Sequence, residues 1–274
     1  MTHSRARIHE LLGDGGLAPR RELGQNFVAD PNTVRKIAAL AQVGPGSCVV
    51  EIGAGLGSLT IALAETGARV IAVEVDRGIV SMLRDVVADL DNVEVVEADA
   101  MTTDWHALLN GDDNWTLVAN LPYNVATPLV CDLLDEVPAI TSMLVMVQRE
   151  VAERFAAPAG SRQYGAVSVK IAYWGAARVV GIVPASVFVP KPNVESALVR
   201  ITRRPPPDTD RAKLFELVKT GFGHRRKMLR RSLAEVVTAE QFAVAGVSPE
   251  ARPEELGIDQ WCRLTDAVMS TGCD

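Results

Sequence analysis

Cysteine is scarce: Cys48, Cys131, Cys262 and Cys273 are the only four in 274 residues, widely spaced and without a CxxC pair. That excludes a disulfide framework and a thiolate metal site. The four histidines, His3, His9, His106 and His224, are equally scattered and carry no metal-ligand spacing. No Cys/His pair or Ser/His/Asp set stands out as a nucleophilic constellation. No apolar run reaches the roughly 18 residues that a membrane span requires. The opening "MTHSRARIHELLGDGG" lacks the apolar core of a signal peptide, so the expected address is the cytoplasm, with no membrane partner. What remains is an ordinary globular composition, 48% hydrophobic and 23% charged.

The formal net charge of -6 speaks against a nucleic-acid partner, but its distribution does not. Residues 37–135 carry fifteen acids against Arg69, Arg77 and Arg84, whereas residues 200–231 carry eleven bases against Asp208, Asp210 and Glu216. An acidic stretch and a basic stretch in one chain indicate two different tasks.

Short apolar runs alternate with helical patterns. "DPNTVRKIAALAQV" begins a helix with Asp30 as N-cap, Pro31 at the first position and an apolar stripe through Val34, Ile37 and Ala41. The runs "CVVEI", "RVIAVEV", "VEVVEA", "WTLVAN" and "SMLVMVQ" then read as strands of a parallel sheet covered on both faces. "ARVVGIVP" and "ESALVRIT" read as two further strands, antiparallel to one another. "RRPPPDTD" (203–210) reads as a stiff linker, and beyond it "RAKLFELVKTGF", "RKMLRRSLAEVV", "AEQFAVAGV" and "IDQWCRLTDAVM" are helical. The expected division is an α/β domain over 1–204 and a small helical domain over 205–274.

"VVEIGAGLGSLT" places Gly53, Gly55 and Gly57 between a strand and a helix, where a ligand can approach the backbone and meet free amide groups. Glu74 ends the next strand, positioned to accept from ribose hydroxyls, and Asp99 ends the third. The spacing is GxGxG rather than the GxGxxG of dinucleotide folds, which disfavours NAD without excluding it. E-x-G-x-G-x-G, a distal Glu and then an Asp resembles the S-adenosylmethionine-dependent methyltransferases.

After the fourth strand comes Asn120-Leu121-Pro122-Tyr123, similar to the [DNS]-P-P-[YF] motif of methyltransferases that modify planar exocyclic amines. The lone pair of an adenine amine is delocalised into the ring. Acceptors around that nitrogen, here the Asn120 side-chain oxygen and the Leu121 carbonyl, favour a more tetrahedral amine. Pro122 stiffens the loop so that these acceptors stay aimed. Tyr123 offers a stacking face for the base. The donor is an activated sulfonium, so attack needs proximity more than a strong base.

With "RRELGQNFVAD", "EIGAGLGSLT", "VEVDR", "ADA", "NLPYNVATPLV", "MVQREVAERFAAPAGSRQYGAVSV", "VFVPKPNVESALVRI" and "GFGHRRKMLRRSL", the chain resembles the bacterial small-subunit rRNA adenine dimethyltransferases over nearly its whole length. This is the family linked to kasugamycin sensitivity. Val28 stands where leucine is usual, and Arg231 where relatives often have asparagine. The resemblance implies a Rossmann-like class I S-adenosylmethionine-dependent methyltransferase domain followed by a small C-terminal helical domain. It implies two methyl groups on each of two adjacent adenines near the 3′ end of 16S rRNA, in an assembling small subunit, by a monomer. It implies cofactor contacts at Asn26, Val28, Gly53, Gly55, Glu74, Asp99 and Asn120, with Gln25 in the same closing segment. It also implies that Phe188 faces Tyr123 across the target base, its loop held by Pro190 and Pro192.

In "HRRKMLRRSLAEVV" an apolar stripe through Leu229, Leu233 and Val236 leaves Lys227, Arg230 and Arg231 outward. Arg225, Arg226 and Lys227 are expected in a first helical turn, where the macrodipole favours acids. That placement points to an external anion, and RNA phosphate is the natural one. Arg20 and Arg21 add a second RNA contact. Two alternatives stay open: a macrolide-resistance methyltransferase acting on 23S rRNA, whose members share NLPY, and a non-catalytic ribosome-assembly factor.

Overall fold

The computed structural model describes residues 2–20, 23–109 and 114–270. Its nine strands are β1 (Phe27–Val28), β2 (Cys48–Ile52), β3 (Arg69–Glu74), β4 (Val93–Glu97), β5 (Trp115–Asn120), β6 (Ile140–Gln148), β7 (Gly175–Val183), β8 (Phe188–Val189) and β9 (Ser196–Arg203). The helices are α1 (Arg5–Asp14), α2 (Pro31–Ala41), α3 (Ser58–Ala64), α4 (Arg77–Val86), α5 (Trp105–Leu108), α6 (Ala126–Glu136), α7 (Arg149–Phe155) and α8 (Ala166–Trp174). They continue with α9 (Arg211–Gly223), α10 (Leu229–Ser232), α11 (Ala239–Ala245) and α12 (Ile258–Ser270).

Seven strands form one sheet in the order β4-β3-β2-β5-β6-β9-β7. The first five are parallel, and β9 runs antiparallel to β6. The continuous apolar runs follow from burial on both faces: Val49, Val50, Val70, Leu117, Val118 and Val145 are all inaccessible to solvent. Sequence order reverses beside β2, with β3 on one side and β5 on the other. That is the switch point where open α/β sheets hold ligands, at the carboxyl ends of the strands. Gly53 leaves β2 there and Leu121 leaves β5 there. As the sequence indicates, Asp30 caps α2, accepting from the Asn32 and Thr33 amides, with Pro31 in the first turn.

The chain divides into two compact units, Met1–Ala152 with Arg178–Arg203, and Glu153–Ala177 with Arg204–Asp274. The expected 1–204/205–274 division differs from these units by Arg204 and by residues 153–177, which pack with the helices. Tyr164, Val169 and Tyr173 share a core with Leu214, Leu217, Phe242 and Trp261. The Tyr164 hydroxyl donates to the Leu256 carbonyl at 2.8 Å.

Two expectations about the basic stretch are corrected. "RKMLRRSLAEVV" is not one long helix: α9 ends at Gly223, residues 224–228 are a non-helical connection that begins with a turn, and α10 spans only Leu229–Ser232. Arg225, Arg226 and Lys227 thus follow the carboxyl end of α9, where the macrodipole favours cations. Their placement is electrostatically comfortable, and the inference of a bound anion from strain falls. Arg200 and Arg203, counted in the same stretch, serve the sheet domain. Arg203 donates to the Leu133, Leu134, Val137 and Ile140 carbonyls around the end of α6, and Arg200 donates to the Leu40 carbonyl.

Candidate active site

A cavity of about 250 Å³ opens at the switch point. It is lined by Gln25, Asn26, Val28, Gly53, Gly55, Glu74, Asp99, Asn120, Leu121, Pro122 and Tyr123, eleven of the residues singled out from the sequence. Gly53, Gly55 and Gly57 all adopt left-handed φ (73°, 56° and 82°). At Gly55 a side chain would also meet the Phe27 ring, at 3.1 Å from a Cβ. The backbone there must turn sharply and lie flat against the segment that follows "LGQN".

Glu74 is 7% exposed and works as an organiser. One carboxylate oxygen accepts from the Gly55 amide at 2.8 Å, and the other accepts from the Val75 and Asp76 amides at 3.0 Å. Burial raises its pKa, opposed by those three backbone donors. Asp76 is held in turn by Gln25, whose Nε2 donates to Oδ2 at 2.9 Å, and by Arg20 at 3.6 Å. Arg20 thus has an acidic partner while its side chain stays half exposed; Arg21 lies outside the described residues.

The loop after β5 shows its polarity directly. Asn120 Nδ2 donates to the Asn26 carbonyl at 2.9 Å. That bond fixes the amide orientation and leaves Asn120 Oδ1 as an acceptor. The Leu121 amide donates to the Met146 carbonyl at 3.1 Å. Among the described residues no donor reaches Asn120 Oδ1 or the Leu121 carbonyl oxygen. Gly24, at φ 63°, explains the preceding motif: a Cβ there would lie 2.9 Å from Pro122 Cβ. The "GQN" segment thus packs directly on the proline of NLPY. The Tyr123 hydroxyl lies 2.8 Å from Ser196 Oγ, which anchors the ring to β9.

Phe188, which the resemblance sets across the target base from Tyr123, is fully buried, paired with Val28 between β8 and β1, in a core with Val34, Ile37 and Leu198, and it does not line this cavity. A second opening, adjoining Tyr123, is lined instead by Gly24, Asn26, Asn124, Gln148, Pro192, Asn193 and Val194. Pro192 is thus part of a wall beside Tyr123, while Pro190 follows β8.

Sequence reasoning missed several lining residues. Ile8 comes from α1, and with Leu56, Phe27 and Met101 it gives the cavity an apolar wall. Glu51, one residue before the end of β2, also lines it and is wholly buried, with Thr60 Oγ1 donating to it at 2.6 Å. Desolvation, with a smaller contribution from Glu74, pushes its pKa up to about 8, so it is protonated at neutral pH. Below the unfolded carboxyl value near 4.5 both states hold the proton and no penalty exists. As pH rises towards 8 only the unfolded state releases it, and stability falls by roughly 1.4 kcal/mol per unit. Glu51→Gln keeps the acceptor for Thr60 and cannot ionise. The gain in Tm of Glu51→Gln over the parent is expected to be absent near pH 4.5 and to grow up to about pH 8. A pH-independent difference would show that Glu51 ionises freely.

In the helical unit, Arg225 is occupied: Nε donates to Glu254 at 2.5 Å and a terminal nitrogen to the Arg162 carbonyl at 2.7 Å. Arg230 stands 3.9 Å from Glu250. Arg226 and Lys227 are exposed and have no side-chain partner among the described residues. Also among the described residues, no cluster of three His, Cys, Asp or Glu could hold a metal, and no helix is long and apolar enough to cross a membrane.

A seven-stranded sheet with this order, a glycine turn bound by a buried carboxylate at the switch point and two free acceptors on the next loop fit an S-adenosylmethionine-dependent methyltransferase of the Rossmann-like class. The sequence profile of "Ribosomal RNA adenine dimethylase" matches residues 16–269, and the chain belongs to that family. It is 43% identical to "Ribosomal RNA small subunit methyltransferase A" of Bifidobacterium adolescentis, over 96% of this chain and 93% of the relative. It is 45% identical to the protein of the same name from Kineococcus radiotolerans, over 94% and 88%. Among solved structures, the 23S rRNA methyltransferase ErmE superposes with a TM-score of 0.71 at 27% identity, covering 89% of this chain and 99% of that one. A dimethyladenosine transferase from Plasmodium falciparum gives 0.74 at 24% identity, covering 89% and 97%, and shares the fold.

Proposed function

We propose that this protein dimethylates the exocyclic amines of two adjacent adenines near the 3′ end of 16S rRNA, using S-adenosylmethionine, in the assembling small subunit. It works as a cytoplasmic monomer. The observation that carries the chemistry is the pair of unsatisfied acceptors, Asn120 Oδ1 and the Leu121 carbonyl, set on the cavity by the Asn120–Asn26 bond. They receive the two amine hydrogens, which turns the nitrogen lone pair toward the methyl donor. Glu74 accepts from the ribose of the donor, Asp99 accepts at its adenine end, and the Gly53–Gly55 turn lets it lie against the backbone. Asn26, Gln25 and Val28 close the near side. The donor brings the electrophilic methyl group; the chain aligns the amine with it and excludes water. Tyr123 provides one stacking face for the base.

The small-subunit substrate is supported by identities of 43% and 45% to relatives of that name, against 27% to the 23S enzyme. Primer extension across the 16S rRNA 3′ end tests it. Particles isolated from cells lacking the protein should gain two adjacent stops after incubation with it and S-adenosylmethionine. A stop in 23S rRNA alone would favour the macrolide-resistance reading, and no methyl incorporation would favour an assembly factor.

RNA docking is assigned to Arg226 and Lys227 first, with Arg230 adjacent and Arg225 holding the turn through Glu254. Each neutralised phosphate contributes roughly 0.7–0.9 to the slope of log K against log salt. Arg226→Ala/Lys227→Ala is expected to flatten that slope for particle binding by about 1.5. The S-adenosylmethionine Kd should stay unchanged. A parental slope in the double variant would make the pair an ordinary solvated surface.

A further inference from the structure

The family match begins at residue 16, yet the cofactor cavity has a wall that precedes it. His3, Ile8, Leu11 and Leu12 are all buried, at 5%, 1%, 7% and 5% exposure. The apolar face of α1 packs on Leu56 of the glycine turn, on Ile79 of α4 and on Val189 of β8. Ile8 reaches the cavity itself, beside Leu56 and Phe27. His3 binds the turn twice: its ring Nε2 lies 2.8 Å from the Leu56 carbonyl, and its backbone amide donates to Ser58 Oγ at 3.1 Å. Arg5 donates to the Ser186 carbonyl at 2.8 Å, fastening the start of α1 to the segment before β8. Ser4 caps the helix by accepting from the Arg7 amide. Burial holds the His3 ring in its neutral form, and a carbonyl partner requires the Nε2–H tautomer.

We propose that residues 2–14 complete the S-adenosylmethionine site: His3 holds the Leu56–Ser58 turn in its binding geometry, and Ile8 forms the apolar side wall. This rests on the assignment of the cavity to S-adenosylmethionine. His3 is a positioning residue, acting through the turn, while Ile8 is a contact residue of the cavity. Leu56 and Ser58 themselves line the cavity, so any displacement of their backbone changes the surface that the cofactor meets. The ring bond holds the Leu56 carbonyl, between the left-handed Gly55 and Gly57, and the amide bond holds the Ser58 hydroxyl just beyond them. Without the strap the turn must be ordered by the cofactor, and that ordering is subtracted from binding.

The test measures S-adenosylmethionine Kd by calorimetry, together with KM for cofactor, KM for particles, kcat and Tm. His3→Ala is expected to raise cofactor Kd and KM five- to twenty-fold, with kcat at saturating cofactor and particle KM within twofold. His3→Gln, whose amide can donate to the Leu56 carbonyl, should restore most of the affinity. Ile8→Ala should raise Kd similarly, and Ile8→Val, lacking one methylene, by a smaller factor. Should His3→Ala fail to fold, His3→Gln and Ile8→Val carry the measurement. A lowered Tm with parental Kd in the folded His3→Ala and Ile8→Ala proteins would overturn the proposal and leave α1 a stabilising element only. Absence of S-adenosylmethionine binding by the parent protein would instead overturn the cofactor assignment.

Discussion

Asn120→Ala is expected to slow single-turnover methylation of small-subunit particles by about 10²–10³, the cost of removing one preorganised group from a developing charge. The substitution deletes Oδ1, one of the two acceptors proposed for the amine hydrogens, and leaves the Leu121 carbonyl to act alone. It also releases the Asn26 carbonyl from its 2.9 Å bond, so the "GQN" segment loosens and cofactor affinity falls by a smaller factor. Measuring Kd beside the rate at saturating cofactor separates the two losses. Asn120→Asp does not repair the site, because a carboxylate would present an oxygen to the Asn26 carbonyl. Tyr123→Ala should cost about 1–3 kcal/mol through the lost stacking face. Tyr123→Phe keeps that face and loses only the contact with Ser196, a change of about 1 kcal/mol. The expected order of damage is therefore Asn120→Ala, then Tyr123→Ala, then Tyr123→Phe. A parental single-turnover rate for Asn120→Ala would remove amine activation from the loop and leave NLPY a structural turn.

That ranking was accessible from the sequence because the chemistry of the loop is local. Four consecutive residues after an apolar strand carry the acceptors, the rigid link and the ring. The parallel strands were legible for a related reason: burial on both faces writes itself as an unbroken run such as "CVVEI". Glycines and acids at strand ends were legible because the fold delivers them to one edge. Phe188 was not, since an aromatic beside a proline-rich turn has the same sequence whether it faces a ligand or a core. Its complete burial follows from the pairing of β8 with β1, a contact across some 160 residues. The shortness of α10 was hidden by an apolar stripe that runs past it: Leu229 and Leu233 are both fully buried although α10 spans only Leu229–Ser232. Arg200, Arg203, Arg225 and Arg20 read as one class of cation. Each has a different carbonyl or carboxylate partner, and those partners are fixed by tertiary structure. The wall made by α1 was equally hidden, because nothing in "RARIHELLGD" marks which surface its apolar face covers.

Glu74→Ala is expected to weaken S-adenosylmethionine binding by about 1–3 kcal/mol, up to roughly a hundredfold, through two losses that act together. The ribose hydroxyls lose the acceptor proposed for them. The Gly55, Val75 and Asp76 amides lose theirs as well, at 2.8, 3.0 and 3.0 Å, so the glycine turn keeps only the Gly53 and Ala54 bonds to the Val73 carbonyl near the end of β3. Glu74→Gln should bind nearly as poorly, because one end of the amide would turn an N–H toward backbone donors. Asp99→Ala, which removes an exposed side chain whose Oδ1 accepts from the Met101 amide at 2.9 Å, should cost less. Calorimetry with S-adenosylmethionine, on variants whose Tm confirms a folded state, provides the comparison. Loss in Glu74→Ala but parental affinity in Asp99→Ala would place the ribose at β3 and leave the adenine held by the apolar wall of Met101 and Val75. Parental affinity in a folded Glu74→Ala protein would mean that the carboxylate only organises the turn, and that the ribose is bound elsewhere in the cavity.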